Sequence, residues 1–225
     1  MSQNKLTLSN PIAFQGGPNE LLSLLIQKAK VYLENGPFIL TIDGRAASGK
    51  STFSQKLFQA LQEANFGQGA LIHADEFFLR PEQRTQERLM KPGENVDYER
   101  LQDEVLIPFH HQQEIVYRPF NCSTFSFQDS ISLGKVDWLI LEGSYSLNEY
   151  LAPYASLSCF LTCDSSIQEE RILKRSNPKK WHDFQTRWIP LEEKYIEVLH
   201  PDRRCTFYVD TSSWSDESIE KIEKT

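Results

Sequence analysis

A nine-residue segment carries the residues whose types and spacing most clearly predict chemistry. Residues 44–52 read Gly-Arg-Ala-Ala-Ser-Gly-Lys-Ser-Thr and match the pattern G-x-x-x-x-G-K-[ST] at every fixed position. Glycines let backbone N–H groups turn toward a polyphosphate, and a helix that follows directs its positive end toward the same charge. In such a loop Lys50 reaches the β- and γ-phosphates and the Ser51 hydroxyl ligates Mg²⁺. The predicted nucleotide-binding residues are Gly44, Ala46, Ala47, Ser48, Gly49, Lys50, Ser51 and Thr52.

The sequence on both sides of this phosphate loop (residues 44–52) predicts the strand and the helix that such a loop requires. Residues 37–43 are mostly apolar and indicate a short buried strand, whereas residues 51–61 carry apolar side chains at helical spacing. Similar patterns predict further strands at 70–74, 136–142, 156–162 and 206–210, two short strands or a hairpin within 114–127, and further helices at 21–33, 101–109, 166–175, 181–198 (interrupted or kinked at Pro190) and 216–224. Strands that alternate with helices predict an α/β fold of three layers, in which a parallel sheet has helices on both faces.

The amino-acid composition is that of an ordinary globular protein. The 225 residues are enough for one α/β domain, and the net charge of −7 argues against nucleic-acid and membrane partners. The four cysteines match no zinc pattern with the five histidines, so we expect reduced thiols in a cytoplasmic protein. No signal peptide or membrane span is predicted. The sequence leaves homo-oligomerisation open.

Two carboxylates stand where predicted strands end. Asp75 closes the second strand of the phosphate-loop unit, where a carboxylate can accept a hydroxyl proton beside the γ-phosphate; the alternative is a cap or turn residue. Glu76 is the weaker candidate for this base. Glu142 ends the strand at 136–142 and is expected to hold Mg²⁺ directly or through water, the alternative being a strand-end acid without a role.

Two cationic side chains on one predicted helix add the positive charge that phosphoryl transfer needs beside the phosphate loop, the metal ligands and the base. Arg171 and Arg175 are four residues apart and share a helical face, from which they could clamp the β- and γ-phosphates opposite Lys50. The alternative is a solvated face paired with the preceding glutamates. Arg187 is a further candidate. The predicted catalytic residues are Lys50, Asp75, Arg171 and Arg175.

Taken together, these features resemble the uridine kinase-like branch of the nucleoside kinases, whose relatives include nicotinamide riboside kinase, pantothenate kinase and phosphoribulokinase. The resemblance covers most of the chain, from about residue 38 to residue 210. The segments that carry it are DGRAASGKST at 43–52, HADEFF at 73–78, NVDYER at 95–100, YRPFN at 117–121, LEGSYS at 141–146 and RWIPLEEKY at 187–195.

The resemblance implies roles for particular residues. It makes Asp75 the catalytic base, places Glu142 with Ser51 in the metal site and lets Asp97 bind ribose hydroxyls. The pair Phe120-Asn121 would line the base pocket, where uridine kinases usually have Tyr-Asp, and this departure removes a hydroxyl and a charge. The family's lid arginines match Arg171 and Arg175 only approximately. The residues expected on the acceptor side are Asp97, Tyr98, Arg118, Phe120 and Asn121.

The sequence therefore predicts a P-loop NTPase-type kinase that uses ATP and Mg²⁺ to phosphorylate a hydroxyl of a small molecule, a nucleoside being the first candidate. Two alternatives are a kinase of a non-nucleoside alcohol, of pantothenate or nicotinamide riboside type, and a non-catalytic ATP-binding regulatory protein. A GTPase is disfavoured because no N-K-x-D motif occurs. We expect one kinase domain over 1–225, with a helical extension at 1–36, an acceptor-site insertion at 79–127 and a small lid at about 166–198.

Overall fold

The computed structural model describes residues 10–215 and residue 218. The strands in this part of the chain are β1 (Ile12–Phe14), β2 (Phe38–Gly44), β3 (Gly69–His73), β4 (Ile115–Tyr117), β5 (Phe120–Asn121), β6 (Ser126–Phe127), β7 (Ile131–Gly134), β8 (Trp138–Glu142), β9 (Leu157–Thr162) and β10 (Phe207–Asp210). The helices are α1 (Pro18–Leu33), α2 (Lys50–Glu63), α3 (Gln86–Met90), α4 (Tyr98–Leu101), α5 (Ile107–His110), α6 (Ser165–Arg175), α7 (Pro178–Asp183), α8 (Ile189–Leu199) and α9 (Pro201–Arg204).

Six of these strands form one parallel sheet in the order β1-β10-β9-β2-β8-β3. Strand β2 lies between β8 and β9, and every one of its residues is buried, as expected for a strand covered on both faces. Since all six strands run the same way, the phosphate loop after β2, the turn after β3 and Glu142 at the end of β8 meet at one edge. This fold confirms the predicted α/β class.

Alternate residues of the central strands point into two separate cores. On one face, Leu40 and Ile140 pack with apolar side chains of α1 and α2. On the other face, Ile39 and Leu139 pack with the helical segment that begins at Tyr98. The two-residue period of a strand therefore explains how one apolar run serves both layers.

The predicted strands at 37–43, 70–74, 136–142, 156–162 and 206–210 and the helices at 21–33, 51–61, 101–109 and 166–175 are confirmed with small shifts of their ends. The N-terminal segment supplies a strand in addition to its helix, because β1 pairs with β10 at the sheet edge. Residues 79–98, the first part of the predicted insertion, contain a 3₁₀ turn at Pro81–Gln83 and helix α3. The helix predicted at 216–224 lies outside the described residues, apart from residue 218.

Two wide helical turns explain how prolines sit within long helical stretches. The π-type segments Gln102–Leu106 and Phe184–Trp188 precede Ile107-Pro108 and Ile189-Pro190. In each case the isoleucine N–H donates to the carbonyl five residues earlier. The wider turn makes room beside a proline, which has no N–H of its own to donate. The irregularity predicted at Pro190 thus takes the form of a π turn.

The predicted hairpin region holds two small antiparallel sheets. Strands β5 and β6 form a hairpin within 114–127, as expected, whereas β4 pairs with β7, which lies beyond that range. Within the described ranges, no helix is long and apolar enough to cross a membrane.

Candidate active site

The phosphate loop joins the end of β2 to the start of α2, as its sequence requires. Gly49 precedes α2 with a φ of 89°, and Gly44 has a φ of 144°. A Cβ atom at Gly44 would collide with the Leu161 carbonyl. Glycine is therefore needed at both ends of the loop.

Lys50 lies across the inside of this loop. Its Nζ donates to the carbonyl oxygens of Gly44 and Arg45, at 2.9 and 2.8 Å, and its side chain is largely buried at the cavity floor. The ammonium group is thus held by backbone carbonyls rather than by a carboxylate, which leaves its charge available to an anionic ligand.

A hydroxyl and a carboxylate come together beside Lys50. Ser51 Oγ donates to Glu142 Oε2 at 3.3 Å, and His73 Nδ1 lies 2.7 Å from Glu142 Oε1. The hydrogen bond to Glu142 raises the pKa of His73, and the histidine in turn fixes the carboxylate. These hard oxygen ligands fit Mg²⁺, which keeps several waters and needs few protein ligands. The described residues hold no group of three or more metal-ligating side chains. Sequence reasoning gave His73 no role.

Asp75 and Glu76 point to different surroundings. Both lie in the 3₁₀ turn Ala74–Phe77, which follows β3. Asp75 lines the cavity, which leaves its carboxylate accessible to water. The surrounding protein partly desolvates this carboxylate, and desolvation and the charge of Glu142 raise the pKa of Asp75. Glu76 accepts a hydrogen bond of 3.0 Å from the Tyr117 hydroxyl and does not line the cavity.

One cavity of about 490 Å³ contains most of the predicted catalytic and nucleotide-binding side chains. The predicted residues that line it are Ala46, Ala47, Gly49, Lys50, Ser51, Thr52, Asp75, Glu142 and Arg175. Gly44 and Ser48 lie behind this surface, where the Gly44 carbonyl accepts from Lys50 and the Ser48 side chain is buried. The loop therefore meets the cavity mainly through its middle and its helical end.

Of the two predicted lid arginines, the cavity contains Arg175 and not Arg171. Arg171 donates to the carbonyl oxygens of Ala47 and Thr211, at 3.2 and 2.7 Å. It thus holds the loop backbone and does not line the cavity, and its contact with phosphate stays a prediction. Arg175 lies at the cavity wall with its guanidinium 5.8 Å from the Phe184 ring centroid. The exposed Arg187 also lines the cavity.

Asp97 does not line the cavity and is 1% exposed. One carboxylate oxygen accepts from the Arg100 N–H at the start of α4, and the other accepts from Gln83 Nε2 at 2.8 Å. Asp97 is therefore a helix cap that ties down the preceding segment. Its expected contact with ribose stays a prediction.

The other residues expected on the acceptor side also lie outside the cavity lining. Tyr98 stacks on Tyr150 with ring centroids 3.9 Å apart, and the exposed Arg118 donates to the Gln128 carbonyl. Phe120 is buried, and Asn121 accepts two backbone N–H bonds in its own turn. These residues build the insertion rather than its inner surface. Other side chains line the cavity here, namely Phe78, just before the insertion, and the insertion residues Leu79, Arg84, Leu89, Asn95, Cys122 and Phe125.

Sequence reasoning missed a latch between the phosphate loop and the predicted lid. Glu192 of α8 is 4% exposed, and its Oε2 accepts from the Ala46 N–H at 2.6 Å. Gln168 of α6 donates to the Ala46 carbonyl and to Glu192 Oε1, each at 3.1 Å. Burial raises the pKa of Glu192 and Lys50 opposes this rise. Both backbone groups of Ala46 are thus fixed by side chains more than 100 positions away.

A second contact of α8 lies one turn further on. The Tyr195 hydroxyl donates to Asp43 Oδ2 at 2.6 Å, and Asp43 also accepts from the backbone N–H groups of Gly44 and Leu147. Glu192 and Tyr195 are three residues apart and share one helical face. The segment Glu192-Glu193-Lys194-Tyr195 was visible in the sequence, but the residues that it contacts were not.

Comparisons of the whole structure find solved proteins of similar fold. A protein described as a "Possible Uridine Kinase" from Bacillus stearothermophilus superposes with a TM-score of 0.60 at 18% identity, covering 83% of this chain and 100% of that chain. D-glycerate 3-kinase from Cryptococcus neoformans gives 0.61 at 13% identity, with coverages of 88% and 97%. The YGR205w protein gives 0.62 at 16% identity, with coverages of 88% and 95%.

At these identities the comparisons show the fold. By sequence, no protein-family model and no curated protein matches the chain. The chain has the fold of the uridine kinase-like P-loop kinases, as its sequence motifs predict. Its structural neighbours include small-molecule kinases.

Proposed function

We propose that this protein is an ATP-dependent kinase that transfers the γ-phosphate to a hydroxyl of a small molecule. The observation that carries the proposal is the convergence of Lys50, Ser51, Glu142 and Asp75 on one cavity at the carboxyl edge of the sheet. An anion-binding loop, a pair of oxygen ligands for a metal and a separate carboxylate are the parts that phosphoryl transfer needs.

Each of these residues has a distinct task in the proposed reaction. The loop N–H groups and Lys50 bind the phosphates, and Ser51 and Glu142 would hold Mg²⁺, which neutralises phosphate charge when bound. Asp75 takes the proton from the acceptor hydroxyl while the oxygen of that hydroxyl bonds to the γ-phosphorus. The bond from that phosphorus to the β-phosphate oxygen breaks, so that ADP leaves with the electron pair. Arg175 stabilises the charge that moves toward the leaving group.

The acceptor has two candidate classes. The family resemblance favours a nucleoside. The second candidate, a non-nucleoside alcohol, is favoured by the positions of Asp97, Phe120 and Asn121 outside the cavity lining, since these were the residues expected to recognise ribose and base. A cytoplasmic location is part of the proposal, supported by four free cysteines.

Acceptor-dependent release of ADP tests this function. The purified protein is mixed with ATP and Mg²⁺ and then with single nucleosides or small alcohols. We expect ADP release to rise with at least one acceptor and to stop when Mg²⁺ is chelated. ATP binding without ADP release from any acceptor would instead favour the regulatory alternative.

A further inference from the structure

Four arginines lie between residues 79 and 101, and three of them are paired with acids. Arg80, Arg88 and Arg100 each have a carboxylate oxygen within 3.3 Å. Their partners are Glu82, Glu99 and Glu104, respectively. Arg84 has no carboxylate partner among the residues that the structure describes, and it is the one arginine of this segment that lines the cavity.

Arg84 is nevertheless held in place. Its Nε donates to the Leu79 carbonyl at 2.8 Å, and its Nη2 donates to Cys122 Sγ at 3.4 Å. Its guanidinium carbon lies 5.0 Å from the centroid of the Phe125 ring. A half-buried guanidinium that is fixed by neutral groups keeps its full charge and has N–H groups left for a ligand. Such a group fits the paired oxygens of a carboxylate or phosphate.

Arg84, the proposed base Asp75 and the thiol of Cys122 line the same cavity. Cys122 accepts from Arg84. Burial raises the pKa of Cys122, Arg84 opposes this rise and the charge of Asp75 adds to it. A small molecule can therefore reach Asp75 with a hydroxyl and Arg84 with another group.

The chain region of Arg84 separates it from the other cavity arginines. Arg175 and Arg187 belong to the predicted lid region, whereas Arg84 belongs to the wall formed by the insertion. Arg84 and Arg187 lie where these two parts adjoin, since both also line a second pocket. Phe78 and Phe125 add aromatic surface to the wall formed by the insertion. Because the insertion is the predicted acceptor-site region, Arg84 is assigned to the acceptor rather than to the nucleotide.

We propose that the phosphate acceptor carries an anionic oxygen group, a carboxylate or a phosphate, which Arg84 binds while the reacting hydroxyl lies at Asp75. This inference rests on the proposed kinase function. It narrows the acceptor from alcohols in general to hydroxy acids, phosphorylated alcohols or acidic nucleosides.

Matched acceptor pairs test the inference. Uridine is compared with orotidine, which has a carboxylate in place of one ring hydrogen. Ribitol is compared with ribonate, which has a carboxylate in place of one primary alcohol. Glycerol is compared with glycerol 3-phosphate to distinguish a phosphate from a carboxylate. We expect the anionic member of at least one pair to have a kcat/KM roughly tenfold or more above that of its neutral partner.

Substitution of Arg84 provides the second arm. Arg84→Gln should lower kcat/KM for the anionic acceptor roughly 10–100-fold, since a charge-assisted bond is lost, and should leave the ATP KM unchanged. Arg203→Gln is the matched control, because Arg203 is an exposed arginine outside the cavity lining that has no role in the proposed site. It should change neither constant. Preference for the neutral members, or a rise in the ATP KM of Arg84→Gln, would overturn the inference.

Direct binding separates this inference from the kinase proposal. The same pairs are titrated into the wild-type protein and Arg84→Gln by calorimetry without nucleotide. Selective binding of an anionic member that Arg84→Gln loses would support the inference even if no acceptor stimulates ADP release. Absence of such binding, in a protein that turns over a neutral acceptor, would overturn the inference and leave the kinase proposal standing.

Discussion

The two walls of the cavity are built differently. The phosphate loop is fixed by several side chains: Lys50 bonds to its carbonyls from the inside, and Glu192 and Arg171 bond to the backbone groups of Ala46 and Ala47. The acceptor wall comes from short elements of the insertion, which present separate side chains such as Arg84 and Phe125. Backbone groups can bind a phosphate common to many ligands, whereas side chains select one acceptor. The first wall therefore depends on a fixed loop, and the second on which side chains reach the cavity.

The largest effect is expected on the phosphate side. Lys50→Ala should lower ATP turnover at least about 10³-fold, because it removes the cation that offsets charge on the β- and γ-phosphates. The fold should persist, since among the described residues the Lys50 ammonium group donates hydrogen bonds only to two carbonyls of the loop. Turnover is measured by ADP release and folding by circular dichroism. Turnover close to that of the wild type in folded Lys50→Ala would show that the phosphate-loop wall does not bind ATP through Lys50.

The next effect lies where the two walls meet. Asp75→Asn should lower kcat about 10²–10⁴-fold with little change in ATP binding, because asparagine keeps the shape and loses the basicity. Glu76→Gln is the matched control and should be much milder, since Glu76 accepts from Tyr117 outside the cavity lining. The reverse ranking of the two variants would move the base to Glu76.

The pH dependence of the wild type checks the same assignment. A base with a raised pKa becomes protonated earlier as the pH falls, so the acidic limb of kcat/KM should lie above the usual range for aspartate, near 3.9. This limb should be absent from the residual activity of Asp75→Asn. If the acidic limb of the pH profile is unchanged in Asp75→Asn, the limb reports the titration of a group other than Asp75.

A smaller effect is expected from the latch. Glu192→Ala should raise the ATP KM about tenfold, because the Ala46 N–H loses its acceptor and the loop is no longer held. Glu192→Gln should recover most of this loss, since an amide oxygen can still accept. Glu193→Ala is the control: Glu193 is about half exposed and pairs with Arg45, so the change should stay within about twofold. Equal effects of Glu192→Ala and Glu193→Ala would show that surface charge, not the latch, sets ATP affinity.

The smallest kinetic effect is expected at Asp97. Asp97→Ala removes a helix cap and the partner of Gln83, which should destabilise the protein by about 1–3 kcal/mol. Denaturant unfolding measures this loss. The acceptor KM of the folded variant should change only a few-fold, because Asp97 does not line the cavity. A selective rise in acceptor KM without lost stability would support the ribose contact that the resemblance implies.

The success of sequence reasoning differed between the two walls for a physical reason. The phosphate loop and its flanking strand and helix are contiguous, so local spacing predicts both their conformation and their placement. Within the insertion predicted at 79–127, Asp97 and Phe120 are buried outside the cavity lining, whereas Arg84 and Cys122 line the cavity. Side-chain direction in short, irregular elements depends on tertiary packing, which periodicity does not encode.

The sequence by itself determined the parallel α/β fold, the phosphate loop and the strand-end acids Asp75 and Glu142, because each depends on neighbouring residues or on the common direction of parallel strands. The tertiary structure decided which charged side chains serve the cavity. Arg171 and Arg175 share a helix, yet one bonds to loop carbonyls and the other lines the cavity. Glu192 reaches Ala46 across 146 positions in the chain. Such contacts arise only when the sheet brings distant helices to one edge, and the buried polar groups there must then find their partners.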